Sequence, residues 1–153
     1  TFFEEEIEAS GVPNQSLSFE VTESAAVSSI DNAQAFIDAL RKRGCRFSLD
    51  DFGAGQSSFA YLKNFNVDVL KIDGSFIRDI TDNRISESMV AAITQVAKVM
   101  ELETVAEYVE SKQTKKLITE LGVDFAQGHA IGKPISLEQV LEDLTGQRRT
   151  TTA

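Results

Sequence analysis

Short apolar runs and segments of helical periodicity alternate along this chain. Apolar runs with strand-like patterning lie at 17–21, 46–50, 67–72, 104–107 and 123–127. Segments with apolar residues at helical spacing lie at 2–9, 31–43, 57–63, 84–101, 111–121 and from 136 onward. Strands that alternate with helices predict a parallel sheet covered by helices. Two α/β architectures satisfy the pattern: an open doubly wound sheet, and an arc of a (β/α)8 barrel.

Two of the predicted helices carry more detailed signals. The final helix is expected to begin at Ser136, because a serine followed three positions later by Gln139 is typical of a helix start. The helix over 84–101 has an apolar stripe that we expect to pack against the sheet. That stripe is Ile85, Met89, Ile93, Val96 and Met100.

Charge and cysteine content exclude several classes of function. The formal net charge of −9 argues against a protein that binds nucleic-acid polymers or anionic membranes through its surface. A small anionic ligand remains compatible, since a bound cation inverts the local field. The single cysteine, Cys45, allows no internal disulfide and favours a reducing compartment, either the cytoplasm or the cytoplasmic part of a membrane-attached parent protein. No apolar run approaches the roughly 20 residues of a membrane span.

Polar side chains recur at the carboxyl end of each predicted strand. They are Glu20, Asp50 with Asp51, Lys71, Glu107 and Gln127. The successive intervals are 30 residues from Glu20 to Asp50, 21 to Lys71, 36 to Glu107 and 20 to Gln127. Each interval fits one βα unit, and parallel α/β folds gather ligands at this edge. Carboxylates brought together repel one another unless a cation holds them, and oxygen ligands favour Mg²⁺ or Mn²⁺. The sequence therefore predicts a shared, metal-dependent site.

Each of these residues also has a simpler interpretation when taken alone. Glu20 lies in an alternating strand and is compatible with a solvent-facing position. An Asp50–Asp51 pair before Phe52 and Gly53 is compatible with a turn closed by an Asx cap. Lys71 is harder to explain in this way because its neighbours are apolar. The recurrence of such residues at every strand end is what favours a site.

The same residues lie in sequence blocks that resemble the EAL domain, a family of bacterial cyclic di-GMP phosphodiesterases. The matching blocks are 20–23 (Glu-Val-Thr-Glu), 50–58 (Asp-Asp-Phe-Gly-Ala-Gly-Gln-Ser-Ser), 70–73 (Leu-Lys-Ile-Asp), 105–110 (Val-Ala-Glu-Tyr-Val-Glu) and 127–128 (Gln-Gly). The resemblance implies a fold that is a partial TIM-like barrel of about five βα units with parallel strands. It also implies hydrolysis of cyclic di-GMP to the linear dinucleotide by two Mg²⁺ or Mn²⁺ ions.

The resemblance also implies roles for individual residues. Glu20, Asp50 and Asp51 would be metal ligands. Lys71 would contact the attacking water or the scissile phosphate, Glu107 would position or deprotonate that water, and Gln127 would help hold it. Glu23 would brace the loop that follows Asp51, and Glu110 would lie near the substrate base or that loop.

The sequence departs from the family pattern in three respects. The Glu-Ala-Leu motif and an asparagine metal ligand are absent, and Tyr108 stands where many members have glycine. These departures keep open an alternative function, a degenerate receptor that binds cyclic di-GMP without hydrolysing it. His129 is a candidate contact at the substrate rim, although an ordinary loop histidine is the simpler interpretation.

Chain length favours a piece of a larger barrel, since (β/α)8 barrels typically need about 250 residues and this chain has 153. We expect residues 1–145 to be the carboxyl-terminal portion of an EAL domain and 146–153 to be a polar tail. The parent chain would carry an upstream sensor, a GGDEF-type domain or both. Because a barrel arc exposes two sheet edges, we expect self-association or a homodimer, and weak or absent activity of the fragment alone.

Overall fold

The computed structural model describes residues 2–54 and 62–145. The strands are β1 (Ser18–Thr22), β2 (Arg46–Phe52), β3 (Val69–Ile72), β4 (Glu103–Ala106) and β5 (Phe125–Ala126). The helices are α1 (Phe2–Ser10), α2 (Glu23–Ser28), α3 (Ile30–Arg41), α4 (Gly74–Arg78), α5 (Arg84–Val99), α6 (Lys112–Glu120) and α7 (Leu137–Thr145). A short 3-10 turn spans Asn14–Ser16.

The described strands form one parallel sheet in the order β1-β2-β3-β4-β5. Neighbours in the sequence are therefore neighbours in the sheet, and the β1–β2, β3–β4 and β4–β5 connections contain helices, as in a barrel arc. This confirms the predicted α/β class with about five parallel βα units. The helix expected over 57–63 lies largely outside the described residues, and the tail expected at 146–153 lies wholly outside them.

The two faces of the sheet differ in polarity because side chains alternate along each strand. The face packed against the helices carries Phe47, Leu49, Leu70, Ile72 and Ala106, all of them buried. The opposite face carries residues in register on neighbouring strands, among them Glu20, Ser48, Lys71 and Val105. The sheet therefore has one apolar side and one side rich in polar groups.

Two short helices that the periodicity did not predict begin directly at strand ends. The Thr22 hydroxyl accepts a hydrogen bond from the backbone N–H of Ala25 and caps α2. Asp73 follows β3 and accepts a hydrogen bond from Ser75 N–H at 2.8 Å, capping α4. Asp73 is thus a helix cap, whereas the other strand-end residues lie in the site described below.

Helix α5 packs on the core with a face that only partly coincides with the predicted stripe. Its buried residues are Ser86, Val90, Ile93, Thr94 and Ala97. Of the predicted stripe, Ile93 is buried and Val96 and Met100 pack against the core, while Ile85 is 75% and Met89 37% exposed. The prediction was therefore wrong for Ile85 and Met89. Among the described residues, no helix has the length and apolar character needed to cross a membrane.

Candidate active site

The two consecutive aspartates lie at a β-bulge in β2. Leu49 pairs with Leu70 and Phe52 with Ile72, so Asp50 and Asp51 together oppose Lys71 alone. In a regular strand, consecutive side chains point to opposite faces. The extra residue, together with the left-handed conformation of Asp51 (φ 56°), removes that constraint and allows both carboxylates to reach one site.

Lys71 lies at the centre of the polar groups on this side of the sheet and contacts three carboxylates. Its Nζ lies 2.9 Å from Asp50 Oδ1, 2.9 Å from Glu107 Oε1 and 3.1 Å from Glu20 Oε2. Carboxylates from β1, from β2 and from the residue after β4 therefore surround the ammonium group that β3 carries. Only 8% of the Lys71 side chain is exposed, compared with 54% for Glu20.

The ionisation of Lys71 is fixed by two opposing effects. Burial alone would lower its pKa, because desolvation disfavours the charged form. Hydrogen bonds to Asp50, Glu107 and Glu20 outweigh burial, so the pKa of Lys71 lies above its ordinary value. Lys71 is therefore a permanent positive charge among carboxylates.

Three carboxylates are close enough to share a cation. One oxygen each from Asp50, Asp51 and Glu107 lie within 4.8 Å of one another. In addition, Asp50 Oδ1 is buried and is paired with the Lys71 ammonium 2.9 Å away. Three carboxylate oxygens at this spacing suit a hard divalent cation. Glu20 is not a member of this group and joins the site through Lys71.

Glu23 supports the backbone just beyond the aspartates. Its side chain is 7% exposed, and Oε2 accepts a hydrogen bond from Gly53 N–H at 3.0 Å. Gly53 has a φ of 98°, and a Cβ there would lie 2.5 Å from the Phe76 ring. Only glycine fits this conformation and this contact. The loop expected to be braced by Glu23 continues to Ser58, and residues 55–61 lie outside the described part of the chain.

The strand ends of β4 and β5 form the wall of an open cleft of about 430 Å³. Glu107, Gln127 and the exposed Glu110 all line it, so it adjoins the carboxylate group. The loops are joined through backbone hydrogen bonds: Gln127 N–H donates to the Ala106 carbonyl at 2.9 Å, and Val109 N–H donates to the Gln127 carbonyl at 3.0 Å. The cleft also includes Asp51, Tyr108, Gly128, His129, Gly132 and Pro134.

Two glycines, Gly74 and Gly128, shape this wall; Gly128 lies in the 127–128 block that resembles the EAL domain, but neither glycine was predicted to have a structural role. A Cβ on Gly128 would lie 2.4 Å from Val109 N, and a Cβ on Gly74 would lie 2.2 Å from Tyr108 Cδ2. Both permit close approach of neighbouring segments, and only their positions after strand ends signal it in the sequence. The residues that were predicted for the site lie at the carboxyl ends of strands, around Lys71 or along the cleft.

Comparison with known proteins identifies relatives of the chain. Residues 1–134 match the family described as the EAL domain. The cyclic di-GMP phosphodiesterase PdeF of Escherichia coli K12 is 44% identical over 128 residues, which are 84% of this chain and 17% of PdeF. The cyclic di-GMP phosphodiesterase PdeB of Shewanella oneidensis is 39% identical over 131 residues, which are 86% of this chain and 15% of PdeB. The chain thus spans about a sixth of the length of these relatives.

Solved structures with the same fold include two complexes. The PaMucR phosphodiesterase in complex with c-di-GMP has a TM-score of 0.84 and 33% identity, over 90% of this chain and 56% of that one. BlrP1 of Klebsiella pneumoniae, as a manganese/cy-diGMP complex, has a TM-score of 0.77 and 28% identity, over 83% of this chain and 32% of that one.

Proposed function

Because this chain belongs to the EAL domain family, we propose that the protein containing it hydrolyses cyclic di-GMP to the linear dinucleotide. The observation that carries the proposal is the group of Asp50, Asp51 and Glu107 carboxylates around the Lys71 ammonium. Relatives named as cyclic di-GMP phosphodiesterases support the substrate.

The proposed cofactor is Mg²⁺ or Mn²⁺, in a site of two ions. Asp50 and Asp51 would be ligands, with Glu107 close enough to share an ion. Glu20 is proposed as a further ligand, which requires its partly exposed carboxylate to exchange Lys71 for metal. Such ions would activate water and neutralise charge on the phosphoryl oxygens.

The protein side chains have complementary tasks in the hydrolysis. Lys71 places a fixed positive charge beside the phosphoryl oxygens, where negative charge develops during attack. Glu107, adjacent to Lys71 and the cleft, accepts the proton of the attacking water. The water oxygen forms a bond to phosphorus, one ribose oxygen leaves and takes up a proton, and a phosphomonoester end and a free hydroxyl result. Gln127 is proposed to orient the water and Glu110 to contact substrate at the rim.

The chain is proposed to be the carboxyl-terminal part of its barrel, with a sensor, a GGDEF-type domain or both elsewhere in the protein. The name of one relative, the bifunctional diguanylate cyclase/cyclic di-GMP phosphodiesterase MucR of Pseudomonas aeruginosa, supports such a multidomain parent. β1 and β5 are the edge strands of the described sheet, which supports a homodimer or self-association when the chain is alone. The free, buried thiol of Cys45 supports a cytoplasmic location.

The test is to incubate the full-length protein with cyclic di-GMP and Mg²⁺ and to quantify the linear dinucleotide by chromatography. Turnover is expected, and Asp50→Asn should reduce it at least about 100-fold because one ligand charge is lost. Glu120→Gln is the matched control. Glu120 is exposed at the last residue of α6, at the opposite end of the βα unit from the site, and its substitution should leave turnover unchanged.

The competing function is the non-catalytic receptor. Binding of cyclic di-GMP by the metal-loaded protein without any linear product would establish it and overturn the enzyme proposal. The presence of Asp50, Asp51, Lys71 and Glu107 in one site argues against a degenerate protein.

A further inference from the structure

Tyr108 has an unusual backbone conformation at the wall of the cleft. It directly follows Glu107 and has a φ of 54°. For a bulky side chain this left-handed conformation costs roughly 1–2 kcal/mol relative to the ordinary helical one. Backbone strain of this kind persists only where surrounding contacts hold it, and it is concentrated at functional sites.

The contacts that hold Tyr108 come from one face of α4. The Arg78 guanidinium lies over the Tyr108 ring, 4.1 Å from its centroid. Gly74 is four residues earlier on α4, and its lack of a side chain makes room for the ring edge. Because residues four apart lie on the same side of a helix, the ring rests along that side of α4. Its position is therefore set before any ligand binds.

The remaining surface of Tyr108 faces the space in which a substrate would lie. The residue is 49% exposed and lines the cleft together with Glu107, Gln127 and His129. Among the described residues that line the cleft, Tyr108 and His129 are the ones with aromatic rings, and the others are carboxylate, amide, glycine and proline residues. A fixed, half-exposed ring next to a phosphodiester site suits a planar base.

We infer that Tyr108 is a substrate-binding residue, whose ring, backed by Arg78, stacks on one purine of the cyclic dinucleotide. The inference rests on the proposed function and adds a residue that determines affinity for the base. A prepositioned ring loses little conformational freedom on binding. Base stacking on an aromatic side chain contributes enough affinity that removal of the ring raises KM about tenfold.

The test uses the full-length protein and the variants Tyr108→Gly and Tyr108→Phe. Glycine adopts the left-handed conformation without strain, so Tyr108→Gly removes the ring without endangering the fold. Steady-state hydrolysis of cyclic di-GMP should give about a tenfold higher KM with kcat within about twofold for Tyr108→Gly. Tyr108→Phe retains the ring and should keep KM within about twofold. The affinity for Mn²⁺, measured by calorimetry without substrate, should be the same in all three proteins.

Three results would overturn the inference in distinguishable ways. An unchanged KM for Tyr108→Gly, with the parent protein active, would refute the base contact alone. A loss of Mn²⁺ affinity parallel to the loss of activity would show that Tyr108 acts by positioning Glu107. Absence of cyclic di-GMP hydrolysis by the parent protein would refute the proposed function and, with it, the substrate of this contact.

Discussion

Lys71→Met removes the central charge of the site while retaining most of the side-chain volume. Two of the three partners are largely buried, since 19% of the Asp50 side chain and 14% of the Glu107 side chain are exposed. The third, Glu20, is 54% exposed, so its pair with Lys71 contributes at most about 1 kcal/mol. Loss of Lys71 therefore leaves two nearly buried carboxylates facing each other.

Breaking a buried ion pair by removing one partner typically costs about 3–5 kcal/mol. The expected loss for Lys71→Met is near the lower limit, about 3 kcal/mol, because the Asp50 and Glu107 side chains keep some contact with water. The assay is urea unfolding of the metal-free protein at neutral pH. Lys98→Met is the matched control, since Lys98 is exposed on α5 and its loss should change the free energy of unfolding by less than about 0.5 kcal/mol.

A second arm of the experiment adds Mg²⁺. A divalent cation supplies positive charge to the same carboxylates, so Mg²⁺ should stabilise Lys71→Met more than it stabilises the parent protein. If Lys71→Met lowers the free energy of unfolding by less than about 1 kcal/mol in the presence of a chelator, Lys71 is not the main electrostatic partner of these carboxylates. Equal stabilisation of both proteins by Mg²⁺ would mean that the ion and Lys71 do not share these carboxylates.

Three further variants test separate parts of the structure. In urea unfolding, Gly53→Ala should destabilise the protein by about 1–3 kcal/mol more than Gly11→Ala. Both positions have a positive φ, but only at Gly53 would the added Cβ contact the Phe76 ring. Equal losses of unfolding free energy in the two variants would rule out the clash. Asp51→Asn should change the free energy of unfolding by less than about 0.5 kcal/mol, since asparagine tolerates a φ of 56°. Its affinity for Mn²⁺, measured by calorimetry, should fall at least about tenfold. An unchanged affinity would exclude Asp51 as a ligand. Hydrogen bonds from Asn83 and Ser86 lower the pKa of Asp79, so Asn83→Ala should raise that pKa in an NMR titration. The lowered pKa of Asp79 stabilises the folded protein above the ordinary carboxylate range, and this stability is lost as pH falls through the folded-state pKa. Asn83→Ala should reduce that contribution, and an unchanged Asp79 pKa in the variant would contradict the reasoning.

The architecture and the strand-end residues were predictable because both depend on local pattern. Alternation of strand and helix signals fixes the class of fold, and the parallel sheet then brings the carboxyl ends of the strands to one edge. The strand-end positions alone therefore predict Asp50, Lys71 and Glu107 as site residues. The burial of Lys71 was also predictable from its apolar neighbours.

The inward face of α5 was only partly predictable from hydrophobicity, because two polar residues lie on it. Thr94 donates its hydroxyl hydrogen to the Val90 carbonyl at 2.8 Å, and Ser86 donates to Asp79 Oδ1 at 2.7 Å. Each is thereby satisfied by a partner within the helix or in the segment before it, so burial carries little penalty. A search for the apolar stripe rotates the helix toward Ile85 and misses this solution.

The partners of Glu20 also required the structure. The sequence places it at the end of the first strand but does not say which neighbouring group it meets. Strand register places Glu20 beside Ser48, and the side-chain contact goes to Lys71. Contacts of this kind depend on pairing between strands, which residue identity alone does not specify.

The bulge between Leu49 and Phe52 makes the site depend on the number of residues in β2 as well as on their identity. A substitution at Asp50 or Asp51 changes one ligand and leaves the other in place. Deleting either aspartate would restore regular pairing of β2 with β3 and leave a single carboxylate opposite Lys71. Insertions and deletions at this point in the chain are consequently more damaging than their size suggests, because the two acids act together only when the bulge is kept.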